Sequence, residues 1–291
     1  MVFLVQRFSL VRSKSTVTSN VLVTQDVIDG VAIVTWNRPE RNNAWSIPME
    51  VEYFRLLTEA AANPDIRVIV VTGAGKSFCP GMDSHTLAEQ RNGESMTEPH
   101  LRQPMTLPRS IPKPIIAAIN GACAGLGLVA AMNCDLRFAS SAAKITTSFA
   151  HRGIMAEHGL AWSLPRVTGT SKALDLLFSA RVVRGEEALS LGIVDRIFEP
   201  EELMDKTLEY ARDLAAHSSP TAMGIMKRQV YQAEGGTYED ARTLAIRYWL
   251  DVLRDHGDFK EGVSSFLEKR APAFAPWDPS TTSEPAPLPT D

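Results

Sequence analysis

The sequence has 291 residues, 44% hydrophobic and 22% charged, which is typical of a globular protein with one large domain or two smaller ones. Its net charge of −4 gives no indication of a nucleic-acid partner, and no apolar run reaches the roughly 18 residues of a membrane-spanning helix. The three cysteines are too few for a disulfide scaffold and suit a reducing compartment, so we expect a cytoplasmic protein.

The first 20 residues differ in composition from the rest of the chain. They contain Arg7, Arg12 and Lys14, several serines and no acidic residue, as transit peptides do. Because the segment is short and its basic residues are few, we favour a flexible N-terminal extension at residues 1–20 and keep a targeting segment as the alternative.

Strands are predicted where short apolar and β-branched runs end at turn residues. These runs cover residues 31–36, 67–72, 115–120 and 135–139. Between the first two, Ser46 and Pro48 mark the start of a helix that ends at Asn63 and Pro64. The alternation of strands and helices predicts an α/β fold.

The pattern becomes helical after residue 200. Helices are predicted at residues 201–216, 220–233, 237–254 and 258–269. We therefore predict an α/β core at residues 21–200 and a helical region at residues 201–270. The segment 271–291 is rich in Pro, Ser and Thr and is predicted to be a disordered tail.

Two glycine-rich stretches are similar to nucleotide-binding loops but do not meet their requirements. Gly73-Ala74-Gly75 lacks the third glycine of a dinucleotide fingerprint, and Gly125-Leu126-Gly127 is followed by an acid too early to bind a ribose. What both Gly81-Met82-Asp83 and Gly125-Leu126-Gly127 suit is the presentation of free backbone N–H groups, which can hold a developing oxyanion. Taken alone, these loops could equally be ordinary glycine turns.

Several longer segments together resemble one family. Residues 36–44 (WNRPERNNA), 68–83 (VIVVTGAGKSFCPGMD) and 113–135 (KPIIAAINGACAGLGLVAAMNCD) resemble the opening motif and the two oxyanion segments of the crotonase superfamily, the enoyl-CoA hydratase and isomerase group. Shorter words at 164–169, 192–195 and 260–270 occur in the same order. The resemblance extends over about residues 22–275.

The resemblance implies a spiral of β-β-α turns, a helical C-terminal trimerisation region, and a trimer or a dimer of trimers. It implies an acyl-CoA substrate whose thioester carbonyl binds the backbone N–H groups of Met82 and Leu126. No separate cofactor is expected, because coenzyme A is part of the substrate. No metal site is expected either, since the histidines and cysteines lack metal-ligand spacing. By motif match, the residues near coenzyme A are Arg41, Ala44, Asp83, Ser84, Phe266 and Lys269.

One departure from the family bears on the reaction. The two positions at which hydratases of this family carry glutamates are Val129 and Phe149, which cannot transfer a proton. Glu157 remains nearby, at a place where dienoyl-CoA isomerases and aryl-CoA dehalogenases carry a working carboxylate. It could move a proton beside an enolate, act as a nucleophile, or merely stabilise a helix N-terminus.

The predicted function is therefore double-bond isomerisation or related enolate chemistry on an acyl-CoA. Two alternatives remain open at this point. One is an enoyl-CoA hydratase that uses Glu157 alone, and the other is a catalytically silent homologue that binds acyl-CoA. The sequence does not name the acyl group.

Overall fold

A computed structural model describes residues 21–92 and 103–278. The extension predicted at residues 1–20 lies outside the described residues, as does segment 279–291 of the predicted tail. The strands are, in chain order, β1 (Val23–Ile28), β2 (Val31–Trp36), β3 (Val68–Gly73), β4 (Ser77–Cys79), β5 (Ile115–Ile119), β6 (Ala122–Ala124), β7 (Leu136–Ser140), β8 (Lys144–Thr146), β9 (Val183–Arg184) and β10 (Arg196–Phe198).

The helices surround these strands and dominate the C-terminal part of the chain. They are, in chain order, α1 (Ile47–Ala62), α2 (Ser84–Arg91), α3 (Leu107–Ser110), α4 (Leu126–Met132), α5 (Leu160–Thr168), α6 (Thr170–Ser179), α7 (Gly185–Ser190), α8 (Leu203–His217), α9 (Pro220–Ala233), α10 (Tyr238–Tyr248) and α11 (Gly257–Glu268).

The strands form two sheets. The larger has the order β1-β2-β3-β5-β7-β10, and the smaller has the order β4-β6-β8-β9. Each of the strands β3, β5 and β7 is followed by a short strand of the smaller sheet and then by helical structure, so the chain advances in β-β-α turns. The predicted α/β spiral is confirmed.

Strand β3 shows how the larger sheet is buried, because all six of its residues are inaccessible to solvent. Ile69 and Val71 pack into the main hydrophobic cluster, whereas Val68 and Val70 face a second cluster that contains residues of α8. Alternate side chains of one strand thus enter two apolar layers, which is expected for a parallel sheet covered on both faces. Burial on both faces explains why the sequence of β3 is a continuous apolar run.

The C-terminal region differs from its prediction in two places. The helix predicted at 237–254 ends at Tyr248 and continues as a π-helical turn, Trp249–Leu253. The tail predicted to be disordered from residue 271 packs against the core as far as residue 278, where the described part ends. Trp277 is buried, and the Lys113 ammonium lies 4.6 Å from the centre of its ring. Hydrogen bonds from Arg67 to the Phe274 carbonyl and from the Ala273 N–H to Glu261 also hold this segment.

In residues 21–92 and 103–278, no helix combines the length and the hydropathy required to cross a membrane.

Candidate active site

The residues of the site follow the carboxyl ends of three adjacent strands of the smaller sheet. Strands β4, β6 and β8 are parallel neighbours, so their carboxyl ends lie at one edge of the sheet. The chain leaves β4 towards Met82, leaves β6 directly into Gly125 and Leu126, and leaves β8 towards Ser148. Residues that are distant in sequence therefore meet at this edge.

Met82 is held by an isolated parallel bridge to Trp45. The Trp45 N–H donates to the Gly81 carbonyl at 2.8 Å, and the Asp83 N–H donates to the Trp45 carbonyl at 2.8 Å. In a parallel ladder the residue between these two bonds directs its own N–H to the opposite side. The Met82 N–H thus points away from Trp45 and is available to a ligand.

Leu126 supplies a second backbone donor. It is the first residue of α4, and the N–H groups of a first helical turn have no partner within the helix. Gly125 precedes it with φ +50° and ψ −119°, a conformation that favours glycine. A β-carbon at Gly125 would lie 3.8 Å from the Cα of Gly81, so the two donor loops approach closely.

These loops line a cavity of about 360 Å³. Its walls include Met82, Leu126 and the half-buried Glu157, the three residues predicted to be catalytic. Within the described residues, the Glu157 carboxylate has no hydrogen bond or ion pair. The structure thus brings the two backbone donors and this carboxylate to one space.

Glu157 precedes helix α5 but does not cap it. The helix begins at Leu160, and its N-cap residue is Gly159, which is separated from Glu157 by His158. The N-terminus of α5 receives no side-chain hydrogen bond at its cap. The alternative role of Glu157 as a hydrogen-bonding helix cap therefore has no support in the geometry.

The two positions at which the sequence resemblance predicts hydratase glutamates are apolar and buried. Val129 lies in α4 within the main hydrophobic cluster, and Phe149 lines the cavity. Glu157 is the one carboxylate among the described residues of the cavity wall. Among the described residues, Glu157 is therefore the candidate for proton transfer by a side-chain carboxylate at this site.

Asp83, predicted to lie near coenzyme A, is engaged within the protein. Its buried carboxylate accepts from Arg38 Nη2 at 3.0 Å and from the His85 N–H at 2.9 Å. Burial alone would raise the pKa of Asp83, but the His85 N–H and the Arg38 guanidinium outweigh it and hold the pKa below its usual value. Arg38 also donates to the Ala44 carbonyl at 2.7 Å, so it fixes the segment before Trp45.

The other predicted binding residues lie outside the cavity wall. Arg41 is half exposed, 3.7 Å from Asp83, and Ser84 is exposed at the start of α2. Phe266 and Lys269 are exposed on and just after α11. The single chain does not bring these two to the cavity, and their role stays a prediction.

Two other kinds of chemistry find no support in the described residues. Cys79 is buried below the Met82 loop, and burial raises the pKa of its thiol to about 12, so it remains protonated and is a poor nucleophile. In residues 21–92 and 103–278, no group of three or more His, Cys, Asp or Glu side chains could hold a metal ion.

Three residues of the site were missed by the sequence analysis. Ser148 and Arg152 line the cavity, and Arg38 positions the loop beside it. Arg152 could have been noticed as a basic residue shortly before Glu157 in the chain. The pairing of Arg38 with Asp83 spans 45 residues and has no local signal.

Replacement of Arg38 by Gln is expected to lower the free energy of unfolding by about 2 kcal/mol, because a buried carboxylate loses a charged donor. The Asp83 pKa is depressed in the folded state, so its contribution is present above about pH 4 and is lost as pH falls through the folded pKa. The difference in unfolding free energy between this variant and the wild type, measured by urea unfolding, should become smaller as the pH is lowered. Arg55→Gln, which breaks surface ion pairs with Glu52 and Glu59, is the control and should cost under about 1 kcal/mol.

The sequence and the fold identify the family. The family model described as enoyl-CoA hydratase/isomerase matches residues 26–276, and the chain belongs to this family. It is an enzyme of hydratase or isomerase type.

The similar proteins include both activities. The chain is 36% identical to the (E)-benzylidenesuccinyl-CoA hydratase of Thauera aromatica, over 87% of this chain and 98% of that protein. It is 32% identical to the 1,2-epoxyphenylacetyl-CoA isomerase of Escherichia coli strain K12, over 84% of this chain and 95% of that protein. A solved enoyl-CoA hydratase structure from Mycobacterium marinum is 43% identical, with a TM-score of 0.63, and covers 72% of this chain and 96% of its own.

Proposed function

We propose that the protein binds an acyl-CoA thioester, stabilises its enolate, and moves a proton through Glu157 in an isomerisation-type reaction. The observation that carries this proposal is one cavity lined by Met82, Leu126 and a carboxylate without a partner among the described residues. The predicted absence of hydratase glutamates at Val129 and Phe149, which are both buried and apolar, supports isomerisation over hydration. Coenzyme A enters as part of the substrate.

The proposed steps follow from these groups. The thioester carbonyl accepts hydrogen bonds from the Met82 and Leu126 N–H groups, which stabilise the negative charge as it develops on oxygen. The Glu157 carboxylate removes a proton from a carbon next to the carbonyl or conjugated with it. The same proton then returns to another carbon of the enolate, so the double bond moves and Glu157 is again a carboxylate.

Hydration is the second candidate, because most of the similar curated proteins are named as hydratases. In that reaction Glu157 would direct a water molecule to the double bond. One carboxylate would then serve both as the base for the water and as the acid for the α-carbon, which makes hydration the less favoured alternative.

The proposal predicts that hexanoyl-CoA binds and that hexanoate does not, since the carbonyl donors act together with contacts to coenzyme A. It also predicts conversion of β,γ-unsaturated hexenoyl-CoA to the conjugated isomer. Calorimetry tests the first statement. Ultraviolet absorbance of the conjugated thioester tests the second, because the two isomers have the same mass, and mass spectrometry detects any hydrated product. Equal affinity for thioester and acid would remove the coenzyme A assignment, and a 3-hydroxy product would favour hydration.

We also propose that the C-terminal helices associate in a trimer or a dimer of trimers. Apolar side chains are exposed on the π-helical turn and on α11, among them Trp249, Leu250, Phe266 and Leu267. Such a surface is best buried against another subunit.

The three cysteines are buried and unbridged, which supports the expected cytoplasmic location.

A further inference from the structure

The described wall of the cavity carries one cation in addition to its one carboxylate. Among the described residues that line it, Arg152 carries the positive charge and Glu157 the negative charge. The two side chains do not form an ion pair with each other in the described structure. Most of the remaining wall is apolar, with Leu87, Phe149 and Ile154 as examples.

Arg152 lies at the exposed rim of the cavity, where its guanidinium is bonded to the wall. Its Nη1 donates to the Ser148 carbonyl at 3.1 Å. Ser148 has φ +64°, an uncommon conformation for a non-glycine residue, and its N–H is bonded to Thr146 Oγ1 at 3.2 Å. The guanidinium is thus held by a hydrogen bond to the loop that follows β8.

The charge of Arg152 is not neutralised by the described part of the chain. No Asp or Glu in residues 21–92 or 103–278 forms an ion pair with it. One hydrogen bond to Ser148 leaves most of its five N–H donors available. A planar guanidinium with free donors matches a carboxylate in charge and in geometry.

We propose that Arg152 selects acyl groups that carry a second carboxylate, away from the thioester, so that the substrate is a dicarboxylic acyl-CoA. This inference rests on the proposed function and names its substrate class. A carboxylate bound at Arg152 would leave Glu157 free for proton transfer, because the substrate carboxylate would pair with the guanidinium and Glu157 itself does not. A purely apolar acyl group would leave the guanidinium unpaired beside it.

Hexanoyl-CoA and adipoyl-CoA test the proposal, because their acyl chains have the same length and differ in the terminal carboxylate. Calorimetry should show that adipoyl-CoA binds the wild-type protein about tenfold more tightly, as expected for a charge-assisted hydrogen bond. In Arg152→Met this ratio should fall to about one. Arg152→Lys should retain part of it, since the charge remains without the bidentate geometry.

Arg166→Met is the matched control, because Arg166 is also exposed, its Nη1 also donates to the carbonyl four residues earlier (Trp162, 2.8 Å), and it lies outside the cavity wall, so the tenfold ratio should survive its loss. The methyl ester of adipoyl-CoA should bind like hexanoyl-CoA if charge rather than length is recognised. A wild-type ratio near one, or an Arg152→Met variant that weakens both ligands equally, overturns the inference and leaves the proposed function standing. Absence of binding by either thioester instead refutes the proposed function.

Discussion

Glu157→Gln should lower the rate of acyl-CoA isomerisation by about 10²–10⁴-fold, the usual loss when a general acid–base group is removed. Gln keeps the shape of the side chain and can accept a hydrogen bond, but it cannot carry the proton. The Met82 and Leu126 donors are unaffected, so thioester affinity should remain close to that of the wild type. Single-turnover kinetics and calorimetry on the same variant separate the two quantities.

The structure also predicts what should not change in this variant. Glu157 does not cap α5, and its carboxylate has no partner in the described residues, so unfolding free energy should shift by under about 0.5 kcal/mol. Glu186→Gln, in the first turn of α7, is a matched control for an exposed helix-end acid and should retain full activity. Wild-type turnover in Glu157→Gln would instead assign Glu157 to a helix end and move any chemistry elsewhere.

The sequence pattern was sufficient for an α/β fold, and the family resemblance supplied the spiral and the donor loops. Long apolar runs such as residues 67–72 identify strands without any tertiary information. Gly125 marks a loop that only glycine readily adopts, and the resemblance placed Met82 and Leu126 together before the structure did. The cavity confirms that these residues and Glu157 line one space. Their catalytic roles stay predictions.

What could not be predicted depends on contacts between distant segments. The strands β4, β6 and β8 have three residues each, too few to show a period, although they deliver every loop of the site. Asp83 was placed near coenzyme A by motif match, and nothing local shows that Arg38 pairs with it. Likewise, composition described the tail correctly as Pro-rich but could not show that Trp277 is buried.

Gly127→Ala should destabilise the protein by about 3 kcal/mol or more, since a buried site has no room for the added methyl group. A β-carbon at Gly127 would lie 2.0 Å from the Cys79 carbonyl oxygen and 2.9 Å from the Cys79 carbonyl carbon. These are backbone atoms, which cannot rotate away as a flexible side chain could. Either β4 or α4 must shift, and both lead into the donor loops.

Gly262→Ala is the matched control, because Gly262 is also helical and its added methyl group would meet the Phe274 ring at an ordinary 3.8 Å. That variant should be neutral or more stable by up to about 1 kcal/mol, since alanine favours helix. Urea unfolding of both variants measures the contrast, and acyl-CoA binding should be lost only in Gly127→Ala. A Gly127→Ala protein with wild-type stability and binding would show that α4 can move away from β4 without disturbing Leu126, and would contradict the rigid packing on which the donor geometry depends.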